Sequence, residues 1–431
     1  MDAKRNINIR VPVLARVEGE GALEIDISGE EITNLKLRIF EPPRYFEKFL
    51  EDRSYEDILD TVARICGICP VAYQMSAVQA LESAFGVEID EWVHNARRLF
   101  YCGEWLQSHS LHVHLLAAPD FLGFDNAIAM AGEHPDIVRR GLMLQALGND
   151  IIRLLGARSV HPVGARVGGF SHAPRPERVE ALGERLEAAL PQARALVEWA
   201  GSLAMPDDRQ AFTSVSLRHP DEYPMARGRL VSDRGLDIAI EQFHEHFQER
   251  HVPHSTALHC LLDGEPYLVG PLARLNNNLD RLAPDAREAL DATGVRFPSD
   301  NVYHSLLART VEIHQVLLEA TALLRRYRLP EHPHVEHVPS AGTGCGCTEA
   351  PRGVLWHRYE IDASGAVVSA EIVPPTSQNQ ARIEADLHAS LQALGLDRPE
   401  EELRLRGETV IRNYDPCISC ATHFLTLKIR R

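Results

Sequence analysis

The chain has 431 residues, 45% hydrophobic and 25% charged, with a formal net charge of -16. Those fractions suit a globular protein with a substantial core, and the acidic balance excludes a nucleic-acid partner and docking on anionic lipid, which both select basic surfaces. No run approaches the roughly 18 apolar residues of a membrane span, and the N-terminal MDAKRNINIRVPV lacks the apolar stretch of a secretory signal. The expectation is a cytoplasmic protein with no membrane insertion.

In chain order, residues 7–40 predict strands. ALEIDI (22–27) and ITNLKLRIF (32–40) alternate apolar and polar residues, with Ser28-Gly29 at the turn and Glu41-Pro42-Pro43 ending the sheet. Helices follow. Val71, Met75, Val78, Leu81 and Phe85 recur at helical spacing before Gly86. Further helices are predicted over about 91–118, stopping before Pro119, over 135–155, 176–200 and 302–328. VLWHRYEID and AVVSAEIV, joined by Ala363-Ser364-Gly365, predict a hairpin, and two more helices are expected near 377–394 and 398–411. No repeat or low-complexity linker divides the chain. The fold class is α+β: a core of long helices with small antiparallel sheets near the N-terminus and at the C-terminal hairpin, in one domain over 1–431.

The eight cysteines do not form the dense framework of a small disulfide-bonded domain; paired cysteines here point to metal or redox chemistry. Cys66 and Cys69 lie in RICGICP, and Cys417 and Cys420 in DPCISCATH. Each Cys-x-x-Cys can chelate one metal, with Gly67 allowing the tight turn. The halves stand 351 positions apart, whereas structural zinc motifs keep theirs within a few tens of residues. A buried redox-active metal held by four thiolates fits better than structural zinc, which stays the plain alternative. Cys345 and Cys347 flank a glycine, and small residues packing a tight glycine loop account for them. Cys102 and Cys260 read as core. The histidines at 244, 246, 251 and 254, and at 332, 334 and 337, lie among Glu, Arg and Pro without ligand spacing, and read as solvated surface.

RICGIC and DPCISCATH resemble the two ligand motifs of the large subunit of nickel–iron hydrogenases. ARVEGEG (15–21), RYFE (44–47), HPVGARVGGF (161–170), VGPLAR (269–274) and GCGCTEAPRG (344–353) are similar to further family motifs, in order along the chain. The resemblance implies nickel bound by Cys66, Cys69, Cys417 and Cys420, with Cys69 and Cys420 bridging to an iron that carries carbon monoxide and cyanide. Soft thiolates suit such a metal. It implies catalytic roles for Glu18 as proton relay, Cys417 as first proton acceptor, Arg352 over the open metal position and Asp415 beside Arg352. The stiff segment Glu349-Ala350-Pro351-Arg352-Gly353 favours a positioned arginine. Glu47 and His423 are implied to hold magnesium or iron, and residues 424–431 to be a tail trimmed after His423. Two departures stand out: Tyr73 replaces a histidine common in relatives, and Ser108-His109 replaces an Asp-His pair.

The activity implied is reversible heterolytic cleavage of H2 to protons and electrons. RICGICP and Tyr73 look most like soluble bidirectional, sulfhydrogenase-type alpha subunits. No dinucleotide fingerprint and no further cysteine set for relay clusters is present. A small iron–sulfur subunit, NAD(P)-reducing flavin and iron–sulfur subunits, and maturation proteins are therefore the expected partners. The alternatives are a deazaflavin-reducing or membrane-tethered hydrogenase subunit, or a non-catalytic relative of the quinone-site subunit of complex I. The four retained cysteines weigh against the last.

Overall fold

A computed structural model of the chain describes residues 6–422. β1 (Asn6–Val11), β2 (Gly21–Ser28) and β3 (Glu31–Ile39) form an antiparallel sheet in that order. Their two-residue period buries Ile7, Ile9, Leu23, Ile25 and Leu37. Gly29, at φ 65°, makes the turn between β2 and β3. The short helices α1 (Phe46–Leu50) and α2 (Tyr55–Val62) lead into the first cysteine pair.

α3 (Pro70–Phe85) starts at Pro70, whose missing N–H costs nothing in a first turn, and stops at Gly86 in the left-handed region, as expected. α4 (Glu91–Leu111) is capped by Asp90, whose side chain accepts from Val93 N at 2.8 Å. The helix predicted to stop before Pro119 does not. It loosens into a π-helical turn over His112–Ala117 and re-forms as α5 (Ala118–Leu122), with Pro119 in the first turn, where it displaces no hydrogen bond. α6 (Ala127–Glu133) and α7 (Pro135–Gly156) follow, then a hairpin of β4 (Ala165–Arg166) and β5 (Gly169–Phe170), then α8 (Pro176–Gly201).

The middle of the chain holds two sheets absent from the sequence-based expectation. β6 (Val215–Arg218), β7 (Arg229–Ser232) and β8 (Asp237–Ile238) form one; after the single turn α9 (Phe243–His246), β9 (Phe247–Arg250) and β10 (His259–Leu262) form the other. Strands of two to four residues are too short to show an alternation. α10 (Pro271–Asn278), α11 (Pro284–Ala292) and α12 (His304–Arg325) come next. α4, α7, α8 and α12 pack on one another as the helical core.

β11 (Gly342–Ala350), β12 (Gly353–Ile361) and β13 (Val367–Val373) form the C-terminal sheet, followed by α13 (Pro375–Leu394), α14 (Glu400–Tyr414) and α15 (Ile418–Ala421). Here the expected glycine loop is corrected: Cys345-Gly346-Cys347 lies inside β11. Gly344 and Gly346 are every second residue of that strand and press on α3. A Cβ at Gly344 would come 2.0 Å from Ala80 O, and one at Gly346 2.0 Å from Ser76 O. Cys345 and Cys347 pack with Val354 and Trp356 instead. Both are buried and free, as are Cys102 and Cys260.

The surface reading of the histidines holds for His244, His251 and His332, which are exposed. It is corrected for His254, which is half-buried against Glu384, and for His337, whose ring lies 6.0 Å from that of Phe85 and 5.9 Å from that of Tyr55. Their partners are distant in sequence. Among the described residues no helix is long and apolar enough to cross a membrane.

Candidate metal centre

The two cysteine pairs meet between the two largest hydrophobic clusters. Cys66, Cys69, Cys417 and Cys420 border the helical core, while Tyr414, Ile418 and Ala421 belong to the core under the N-terminal sheet. The first pair sits in the turn between α2 and α3; the second joins α14 to α15. Arg44 clasps them: its Nη2 donates to Ile65 O at 2.6 Å and to Ser419 O, and its backbone N donates to Thr422 O at 2.7 Å. This explains the RYFE segment better than its acidic residue does.

The four sulfurs lie within 4.8 Å of one another, all buried. Cys66 Sγ is 3.3 Å from Cys417 Sγ, Cys69 Sγ is 3.3 Å from Cys420 Sγ, and Cys417 Sγ is 2.9 Å from Cys420 Sγ. All are free thiols. Hydrogen bonding from Cys417 and its neighbours draws the Cys66 thiol well below the usual thiol range, whereas burial pushes the thiols of Cys69, Cys417 and Cys420 up. One sulfur thus most readily holds negative charge, and a bound cation would favour the thiolate form of the others. The donor set fits a thiophilic metal.

Glu18 reaches this cluster from the N-terminal segment. Its backbone O accepts from Ile418 N at 3.1 Å, its Oε2 accepts from Ser419 N at 3.0 Å, and the same Oε2 lies 3.2 Å from Cys417 Sγ. Gly19 makes the approach possible: at φ 87°, its position leaves only 2.6 Å between an added Cβ and Ile418 Cβ. Glu18 is half-buried, so its carboxylate connects the sulfur to the surface side.

Arg352 stands in the turn between β11 and β12. Its Nε donates to Asp415 O at 2.7 Å, Nη2 to Asp415 Oδ1 at 3.0 Å and Nη1 towards Ser108 Oγ at 3.4 Å. Burial opposes this cation, but Asp415 and the cysteine sulfurs hold it firmly protonated. Asp415, the left-handed cap of α14 at φ 55°, keeps its Oδ2 buried without a partner. That orphaned oxygen is a buried acceptor on the residue that holds Arg352.

Several residues here escaped the sequence reading. Glu104, fully buried on α4, accepts from Val71 N at 2.6 Å and Ala72 N at 3.0 Å, so it caps α3 just after Cys69-Pro70. Burial pushes its carboxyl well up. Arg274, the end of VGPLAR, donates to Ala350 O and Pro351 O at 2.9 Å each and pairs with Glu312 and Glu349. It therefore holds the turn that carries Arg352. Burial alone would raise the Glu312 carboxyl, yet Arg274 and His109 bring it to about 2, while burial lifts Glu349 to about 7. His109 Nε2 donates to Glu312 Oε2 at 2.9 Å, and burial drops the His109 pKa to about 4. Thr376 Oγ1 accepts from Cys417 N at 3.1 Å. Arg274 closes the motif VGPLAR, but Glu104 and His109 stand on a helix with many other polar residues, and nothing in the sequence marks Glu104.

Tyr73 lies buried beside Cys420, and its hydroxyl, kept protonated by burial and the cysteines, makes no hydrogen bond of normal geometry. Glu47 Oε1 accepts from Ile372 N at 2.7 Å. Glu249 is close by: burial first, then Glu47 and Glu371, push its carboxyl well up, a setting that favours a cation. His423 and the tail 424–431 lie outside the described residues.

Fold and centre together define a nickel-dependent hydrogenase large subunit, and the chain belongs to that family: the model for nickel-dependent hydrogenases matches residues 44–135 and 261–423. It is an oxidoreductase of the nickel–iron type. Among its relatives, the sulfhydrogenase 2 alpha subunit of Pyrococcus furiosus is 34% identical over 421 residues, covering 97% of this chain and 100% of the relative. The beta subunit of the NAD-reducing hydrogenase HoxS of Cupriavidus necator is 27% identical, covering 96% and 94%. The crystal structure of an NAD+-reducing [NiFe]-hydrogenase in the H2-reduced state superposes with a TM-score of 0.87 at 26% identity, over 98% of this chain and 100% of that one.

Proposed function

We propose that this chain is the hydrogen-cleaving subunit of a cytoplasmic heteromeric hydrogenase, splitting H2 reversibly into protons and electrons. The observation that carries the proposal is a buried set of four sulfurs with a carboxylate 3.2 Å away at Cys417 and a buried guanidinium bound to Asp415. A closed structural zinc site needs neither. Bound by Cys66, Cys69, Cys417 and Cys420, a nickel–iron centre with carbon monoxide and cyanide on the iron would supply the redox and Lewis-acid chemistry. All four cysteines would hold it through buried sulfurs that lie within 4.8 Å of one another.

The chain's own groups do the rest. Cys417 Sγ takes the proton and Glu18 Oε2 receives it, the carboxylate being aimed by the Ser419 amide. Arg352 presents a fixed cation, and Asp415 sets its angle. Glu47, with His423 outside the described residues, would hold a magnesium or ferrous ion. The names of the relatives support passing electrons through partner iron–sulfur and flavin subunits to NAD(P). Infrared spectroscopy of the purified, nickel-loaded protein tests the reading. Bands of metal-bound carbon monoxide and cyanide are expected; their absence from nickel-loaded protein would refute it.

A further inference from the structure

We propose a second metal site, separate from the four cysteines, formed by His254, His259 and Glu384 and suited to a borderline divalent ion such as Zn2+. One nitrogen of each histidine and a carboxylate oxygen lie within 4.8 Å of one another. His254 is in the segment between β9 and β10, His259 opens β10, and Glu384 is on α13, so three separate elements converge.

Three features distinguish the cluster from a casual ion pair. His254 Nε2 and Glu384 Oε1 are 2.8 Å apart, which would satisfy a surface pair alone. His259, however, is only 5% exposed, and its Nε2 is buried with no partner. Other buried imidazole nitrogens, such as His109 Nδ1 and His112 Nδ1, also lack a hydrogen bond, but His259 stands with a second imidazole and a carboxylate at metal-binding spacing.

The second feature is support. Glu384 Oε1 also accepts from Leu37 N at 2.9 Å, so the carboxylate is fixed from behind. The 252–258 segment is clamped: Thr256 N donates to Ile39 O at 2.8 Å, and Ala257 N donates to Ser255 Oγ at 3.1 Å. The two imidazoles stand nearly perpendicular, at 88°, with centroids 5.8 Å apart.

The third is access. The side chains of His254 and Glu384 are each 20% exposed, so an ion can enter and water can complete its coordination. Two imidazoles and one carboxylate are a donor set of zinc and related ions, with three protein ligands and an open fourth position. The bound ion would staple β10 and the segment before it to α13, the helix whose Thr376 accepts from Cys417 N.

The test uses the intact hydrogenase complex, freed of loosely held metal with EDTA, with nickel and iron counted before zinc is added. Equilibrium dialysis with elemental analysis is expected to give one zinc per chain, and a higher Tm with zinc. Glu384→Gln keeps a side-chain acceptor for Leu37 N but loses the charge; His254→Gln removes a rim ligand without opening the core. Each should weaken zinc binding at least about tenfold and abolish the zinc-dependent Tm shift, with nickel and iron unchanged. No stoichiometric zinc in the parent, or unaltered binding in both variants, would overturn the proposal.

Discussion

Arg352→Lys isolates the geometry of the guanidinium from its charge. The arginine spans Asp415 O, at 2.7 Å from Nε, and Asp415 Oδ1, at 3.0 Å from Nη2. A single ammonium on a flexible stem reaches one of these acceptors but not both. The variant therefore forfeits at least one hydrogen bond of a charged, buried pair, worth roughly 1.5–3 kcal/mol. If that bond holds the cation in its working position, turnover falls by about 10- to 100-fold, at roughly 1.4 kcal/mol per decade. The charge stays, so the Asp415 carboxylate is not stranded, and nickel content should match the parent. Dye-linked H2 oxidation, which bypasses the partner subunits, reads the chemistry; elemental analysis and a melting curve supply the controls. A fully nickel-loaded lysine protein turning over like the parent would make Arg352 a structural residue and sink the argument.

Cys66→Ala removes the sulfur that most readily holds negative charge; both nickel retention and activity should be lost, as measured by elemental analysis and H2 uptake. Glu18→Gln still accepts from the Ser419 amide but cannot carry a proton, so hydrogen–deuterium exchange should drop by about 100-fold or more with nickel intact, and normal exchange would reveal another exit. Gly346→Ala places a methyl against Ser76 O and should destabilise the packing of β11 on α3 by about 1–3 kcal/mol, seen as a lowered Tm. Intact-mass measurement on active enzyme is expected to find a chain ending at His423; a nickel-loaded, active chain still carrying Arg431 would show that trimming is not required.

The sequence by itself determined the candidate ligands and the long helices. Two thiols at i and i+3 can chelate wherever the chain carries them, so Cys66/Cys69 and Cys417/Cys420 stand out as candidate metal ligands before any fold is known. Helix limits such as Pro70, Gly86, Asp90 and Pro135 are local, because capping and φ preference act within a few residues. The glycines of β11 were misread for the same reason. A glycine-rich stretch is a loop by local preference, and only the approach of α3 to within a backbone's width makes every second residue glycine.

Tertiary structure alone decided which groups surround the sulfurs. Arg44 reaches Ser419, 375 positions away, Glu104 caps a helix that is not its own, and Arg274 holds the Arg352 turn through Ala350 and Pro351. Likewise, His254 and His259 gain a shared carboxylate only when α13 brings in Glu384. The physical reason is burial. A charged side chain in an apolar helix reports only that it must have partners; the identity of those partners is set by which elements pack together, and no spacing along the chain encodes that.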